Sequence, residues 1–564
     1  MRQFRWFAAA MTVAIATGLA CGDDPTSPTD QQPVLSSIAP DSGNVGTSVD
    51  VHGQLFAPGA IVTFGSKQSP KVVYISQTLV RAYAPDGLLL GQHYSVSVRN
   101  ASSEPSDASR SYKAVAPELL VVNGVTKPSG LPGSTCIFEG RSFGDLVGKG
   151  NVYFTGNGAP VAATVESGNW HNEYIIATIP NDAESGPVWV TTPTGNTESI
   201  QFLISEQTSF SPSAISWTPT TSLPSPSQGH GAHFIEIDNG GSTDNTVYVT
   251  GGADGTPTAR PDVLVGDIGA SGNILTWNPA TSLPDARAFH ATATATPWNA
   301  LVDTVSAGYL YVIGGNDASG TTRATVLYTP VGKERSLGGW AETTPLPVAL
   351  HSAGATVLRS WLYVVGGATN SNAPVTTAYR ARIEFDGTLG DWQQMTPLPQ
   401  ARAYAPLVQF AGHLYVLGGD TGTSVPASNN VSASAIKSVL YQRVDLRTGG
   451  LAGSSWTSTS QLIKADSKHS VISAAGWLLA SGGLYNGASS SATEHQYASI
   501  DPDGSVTSFN GATGSQTITA AGGVPFYNHA AVTYVDDSGV AHVIIIGGAN
   551  VTDPTHPTAG CYYY

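Results

Sequence analysis

The chain has 564 residues, with 25 Lys and Arg against 40 Asp and Glu, a formal net charge of −15. That balance, with no run of basic residues, excludes the electrostatic footprint that nucleic-acid binding needs. Three cysteines in this length make no disulfide framework, and a 12% charged fraction with 63 glycines points to turn-rich β domains, since about a quarter of residues is charged in ordinary domains.

Residues 1–20 carry Arg2 and Arg5 followed by an apolar stretch from Trp6 to Ala20. This is the pattern of a signal peptide, too short and wrongly flanked for a membrane span. Leu19-Ala20-Cys21 resembles a bacterial lipobox, which implies that Cys21 is lipidated and becomes the mature N-terminus; secretion with cleavage nearby is the alternative. Residues 21–32 read as a polar, Pro-containing tether. The expectation is an exported chain, an outer-membrane lipoprotein on the cell surface or in the periplasm, that meets the membrane only through its lipid. Cys136 and Cys561 are then left as buried free thiols.

Two copies of a shorter repeat follow. Gly43, Gly46, Gly53 and Phe56 are matched by Gly130, Gly133, Gly140 and Phe143, with identical Gly-x2-Gly-x6-Gly-x2-Phe spacing, and each copy continues into alternating strands. The pattern resembles the IPT/TIG immunoglobulin-like module. It implies β-sandwiches over residues 33–115 and 116–206, with the glycines serving turns and the two domains acting as spacers.

From residue 211 the period changes. Six β-rich runs end in Gly-Gly pairs that start at Gly251, Gly314, Gly366, Gly418, Gly482 and Gly547, spaced by 63, 52, 52, 64 and 65 residues. Self-similarity at this period marks one supersecondary unit stacked on its copies. Trp217, Trp277, Trp340 and Trp392 each precede a Leu-Pro, while Trp456 leads to Leu462 and Phe509 replaces the sixth tryptophan. The order resembles the kelch repeat. It implies an all-β fold with a six-bladed kelch-type β-propeller over 211–564, in which the tryptophans pack between blades. The chain ends after the sixth blade's third strand, so residues 211–220 are expected to supply the missing outer strand and close the ring.

The candidate ligand-contacting residues open the first strand of each unit: His230, His290, His351, Tyr404, His469 and His529, with Arg287 and Arg402 just ahead of two of them. Five imidazoles at equivalent positions would ring one channel mouth. Imidazole ligates transition metals, but a polar residue here belongs to the kelch pattern and commonly bonds the neighbouring blade, so no metal, cofactor or catalytic residue is assigned. A galactose-oxidase-like copper site would need a cysteine cross-linked to tyrosine, and Cys561 in the last strand does not suit it. No protease motif occurs. The loops Thr421–Ser438, Leu484–Thr493 and Gly511–Val524 fall on the histidine face, and Trp298 on the opposite one. The expected function is a monomeric envelope lipoprotein whose propeller binds a protein or carbohydrate ligand; the alternatives are a kelch-type sugar mutarotase or epimerase, with Asp285 and Glu494 as further candidates, and a purely structural envelope role.

Overall fold

The computed structural model describes residues 31–564 apart from 108–109, 124–127, 146–147, 149, 206–209, 239–242, 255–257, 296–305, 425–433, 447, 486–494, 512–525, 537–539 and 551–556. The signal and lipidation segment with Cys21, Glu494, Trp298 and most of the three long loops lie outside the described residues. The described chain divides into two compact units at Ala114/Val115, with Asn44–Thr47 counted in the second.

The first unit is a sandwich of two sheets. One orders its strands Val34–Ala39, Ser48–Gln54, Leu79–Tyr83, Val72–Ser76; the other Ser42–Gly43, Arg110–Ala114, His93–Arg99, Ile61–Phe64, Lys67–Gln68. Alternation along Ser48–Gln54 and Ile61–Phe64 turns Val49, Val51, Val62 and Phe64 inward onto Phe56, Val96 and Tyr112. The Gly-x-x-Phe spacing has a steric cause. A Cβ on Gly53 would sit 2.0 Å from the Val34 carbonyl oxygen and 2.5 Å from the Phe56 ring, and a Cβ on Gly140 would sit 2.0 Å from the Glu118 carbonyl oxygen and 2.5 Å from the Phe143 ring. Only glycine lets the phenylalanine fold back under its own strand.

In the second unit, residues from Glu118 to Ile204 form another sandwich, a three-stranded sheet (Glu118–Val122, Thr135–Arg141, Tyr174–Thr178) facing the sheet of Val188, Val190 and Phe202. The remaining chain forms, among the described residues, six four-stranded antiparallel sheets. Blade 1 is Gly231–Asp238, Thr243–Thr250, Val263–Ile268 and Ile274–Pro279. Blades 2 to 5 repeat this order, with first strands Ala291–Ala295, Gly354–Leu358, Leu407–Phe410 and Ser470–Ala474. Blade 6 is Ala530–Val535, Ala541–Ile546, Cys561–Tyr563 and, on its outside, Thr218–Thr220. Thr218 pairs with Tyr563 and Thr220 with Cys561, so the strand that enters the fold first completes the blade that ends it. The six first strands pack on one another in a closed cycle.

Repeated residues stitch neighbouring blades. Both glycines of each pair have positive φ, for example 59° and 94° at Gly366 and Gly367. In five of the pairs the second donates its N–H to the next blade, as from Gly367 to the Arg402 carbonyl at 2.9 Å; a Cβ on Gly366 would meet that same oxygen at 2.5 Å. Tyr248, Tyr311, Tyr363 and Tyr415, at the same place in their second strands, donate their hydroxyls to the carbonyls of Arg335, Gly387, Gly449 and Gly504 in the following blade. The indoles of Trp277, Trp340, Trp392 and Trp456 donate to the carbonyls of Thr221, Thr281, Thr344 and Thr396 at 2.9–3.0 Å, each two residues before a Leu-Pro. The tryptophans thus hold each outer strand to the one before it.

The second sandwich is not a free spacer. Ile137 and Ile176, on the outer face of its three-stranded sheet, belong to one apolar cluster with Leu358, Tyr363 and Leu446 of the propeller, and Leu131 belongs to another with Phe410 and Leu478. Arg359 pairs with Glu139 at 2.8 Å, both largely buried. The expectation of two spacers fails for this domain because its three-stranded sheet carries apolar residues on both faces. Cys136 and Cys561 are free and buried. Among the described residues no helix is long and apolar enough to cross a membrane.

Candidate functional site

One residue in each blade, just before the first strand, has left-handed backbone: Gly229, Phe289, Ser352, Tyr404, Lys468 and Asn528, with φ between 52° and 61°. Their peptide groups form a chain of hydrogen bonds round the axis. Phe289 N–H donates to Gly229, Ser352 to Phe289, Tyr404 to Ser352, Asn528 to Lys468 and Gly229 to Asn528, at 2.7–2.9 Å. Non-glycine residues enter this region at a cost, and here these bonds hold them there.

This ring corrects the register read from the sequence. The residue after the left-handed position is His230, His290, Ala353, Ala405, His469 and His529, so the equivalent histidines number four. His351 lies one residue before the left-handed position and Tyr404 occupies it. The signal was available: Pro224 to Gly229, Pro284 to Phe289, Pro347 to Ser352 and Pro399 to Tyr404 are each five positions. Because a positive φ redirects the chain, side chains one residue apart point to different places.

The four histidines face the preceding blade. His230 Nε2 bonds the Ile546 carbonyl at 3.1 Å and His290 Nε2 the Thr250 hydroxyl at 2.9 Å. The His469 ring lies against Gly418 and the His230 ring against Gly547, where a Cβ would sit 3.0 and 2.7 Å from the imidazole carbon. Burial holds these rings neutral: His230 falls to about 4, His290 and His469 to about 3, and His529 well below its ordinary value. His351 bonds the Ser352 hydroxyl at 3.0 Å and falls to about 4 for the same reason. Arg287 and Arg402 are buried and reach within their own blades, to the Thr325 hydroxyl at 2.7 Å and the Gly418 carbonyl at 3.1 Å. Burial lowers both, Arg402 to about 10. Asp285 is exposed, 3.7 Å from Arg287.

Among the described residues, two cavities lie on the axis, one at each end of the first strands. The one at the left-handed ring measures about 300 Å³ and is walled by all six ring residues, the four histidines, and small first-strand residues such as Ala291, Gly354 and Ala530. The structure therefore brings His230, His290, Tyr404, His469 and His529 to one cavity, and leaves His351, Arg287 and Arg402 out of it. Gly229, Phe289, Ser352, Lys468 and Asn528 also line it, and no shared residue type marks them in the sequence. Lys468 is buried, its ammonium 4.8 Å from the Tyr404 ring centroid and 5.7 Å from that of Tyr527. Two residues earlier, buried Asp466 lies 3.9 Å from His469 Nδ1, its carboxyl raised well above the ordinary range by burial. The second cavity, about 360 Å³, lies at the far ends of the first strands and is closed in part by Asn123 and Ser129 of the second sandwich. Among the described residues no three His, Cys, Asp or Glu side chains converge as a metal site would require.

The fold and its repeats define the class: an all-β chain with immunoglobulin-like sandwiches and a kelch-type β-propeller. Comparison with known proteins agrees. Residues 33–113 match the IPT/TIG domain model. The chain is 32% identical over 80 residues to mouse (Mus musculus) Kelch-like protein 9, covering 14% of this chain and 13% of that one. It is 25% identical over 210 residues to mouse Kelch-like protein 35, covering 37% and 30%, and 25% identical over 150 residues to Beta-scruin of Limulus polyphemus, covering 26% and 15%. The chain thus spans less than a third of each of these relatives. The solved structure of YjhT aligns with 60% of this chain and 95% of its own, at 13% identity and a TM-score of 0.41. The protein carries an IPT/TIG domain followed by kelch repeats.

Proposed function

We propose that the propeller is a ligand-binding module, for a protein or a glycan, of an exported chain held to the envelope through a lipid on Cys21, and that it binds at the left-handed ring. The observation that carries this reading is a division of labour among the repeated residues. Tyrosines, tryptophans, paired glycines and histidines that recur from blade to blade are engaged between blades. The six ring positions differ in every blade, Gly, Phe, Ser, Tyr, Lys and Asn, and line a cavity. Recurrence marks what the scaffold needs, while variation at a concave site with aromatic and polar groups marks recognition. The opposite mouth is engaged by the second sandwich.

The test is a soluble Cys21→Ser chain screened on glycan and peptide arrays, followed by Phe289→Ser, a change at a half-buried ring residue. Binding to a defined glycan or peptide that Phe289→Ser weakens at least tenfold, with unchanged circular dichroism, supports the reading. A ligand whose binding ignores that change, or no ligand on either array, overturns it.

A further inference from the structure

We infer that Lys468 is a nucleophilic amine of the ring cavity that captures a small carbonyl compound, an aldehyde or the open-chain form of a reducing sugar, as an imine. The inference rests on the ring cavity being the ligand site. Among the described residues that wall the cavity, Lys468 is the one lysine or arginine, and none is a carboxylate. Its backbone is fixed: φ is 58°, and its carbonyl accepts the Asn528 N–H at 2.9 Å. Its side chain lies over the faces of Tyr404 and Tyr527. A cavity of about 300 Å³ stands at the small end of ligand pockets, so what enters it is a group of a few carbons, a free aldehyde or the reducing end of a sugar, while the rest of a larger ligand stays outside.

The groups that face the amine set its charge. Burial lowers it to about 7, and Asp420 of the preceding blade pulls the other way by a smaller amount. Nearby His351 and His469 are held neutral, and Tyr404 and Tyr527 are raised, the latter to about 12. At pH 7 about half of the Lys468 side chains are then neutral, against on the order of one in a thousand for an exposed lysine. In the step, the amine lone pair forms a C–N bond to the carbonyl carbon, giving a carbinolamine. A proton passes from nitrogen to oxygen, the C–O bond breaks, and water leaves. Amine plus carbonyl gives imine plus water, with no change of oxidation state.

The experiment incubates the wild-type chain with glycolaldehyde, glucose or sorbitol in the presence of sodium cyanoborohydride from pH 6 to 9, and reads alkylation of each lysine by peptide mass spectrometry. Glycolaldehyde should label Lys468 at pH 7 at least about tenfold faster than the exposed Lys71 and Lys113, with a midpoint near pH 7, and Lys468→Arg should remove that labelling alone. Labelling with glucose as well identifies the ligand as a reducing sugar; labelling with glycolaldehyde only identifies a small aldehyde; sorbitol should give none. Lys468 reacting no faster than Lys71, or titrating only above pH 9, overturns the inference. It does so without touching the binding reading, which stands or falls on the arrays and Phe289→Ser.

Discussion

Acid should unfold this propeller well before its carboxylates are neutralised. Four buried imidazoles, His230, His290, His351 and His469, have folded values of about 4, 3, 4 and 3, against 6.5 when unfolded. Below 6.5 the unfolded chain takes up protons that the folded chain refuses. Their contribution is therefore complete above pH 6.5 and is lost as pH falls toward 4. At pH 5 the linkage integral for one such group is about 2 kcal/mol, and four groups sum to about 7–8 kcal/mol. His529 acts in the same direction. Asp466 opposes them, because its folded carboxyl is raised and prefers the acidic side; between pH 7 and 5 it can return at most about 2.7 kcal/mol. The net loss of about 5 kcal/mol is comparable with the whole stability of many domains. Guanidinium unfolding followed by tryptophan fluorescence at pH 7 and pH 5 measures it. The midpoint should fall by roughly 0.5–1 M, and His290→Gln should remove about 2 kcal/mol of the net loss, roughly two fifths of the pH dependence. A midpoint unchanged or higher at pH 5 would refute the assignment of these rings as buried and neutral.

Three further outcomes are expected. Tyr363→Phe removes a hydroxyl that is buried against the Gly449 carbonyl, which should cost about 1–3 kcal/mol and lower Tm by roughly 2–4 °C for a propeller of about 350 residues; calorimetry showing no shift would contradict the suture. Deleting residues 211–220 takes Thr218–Thr220 off blade 6 and exposes the flank of Cys561–Tyr563, so light scattering should show aggregation, and a deletion that melts like the parent would mean the ring does not depend on this strand. Cys21→Ser should move the protein from the membrane to the soluble fraction, because one lipid would be its attachment; retention after a high-salt wash would exclude the lipid anchor.

Local spacing made the repeats legible. The Gly-Gly pairs, the Leu-Pro after each tryptophan and the Gly-x-x-Phe corners recur because each answers a steric or hydrogen-bonding demand that every copy makes in the same way. The missing outer strand of blade 6 could be counted from where the repeats begin and stop. The histidine ring was legible only in part. His351 and Tyr404 align with the other four when the residue that opens the small-and-apolar strand is taken as the marker, whereas the backbone aligns on the left-handed residue, five positions after the proline in the four blades that have a Leu-Pro, whatever its side chain. That position carries a different residue in every blade, so no motif flags it.

What the sequence by itself determined is the set of blades, their order and the strand that closes them, because these follow from periods of two and of tens of residues along one chain. What the tertiary structure decided is the site. Ring closure brings residues 229 and 528, 299 positions apart, into hydrogen-bond contact. It turns the histidines into the seams, and gathers Phe289, Tyr404 and Lys468 at one cavity. It also seats the second sandwich on the propeller through Ile137, Ile176 and the Arg359–Glu139 pair. An outward-facing isoleucine in a strand reads the same whether it meets solvent or another domain, and only the packed chain distinguishes the two.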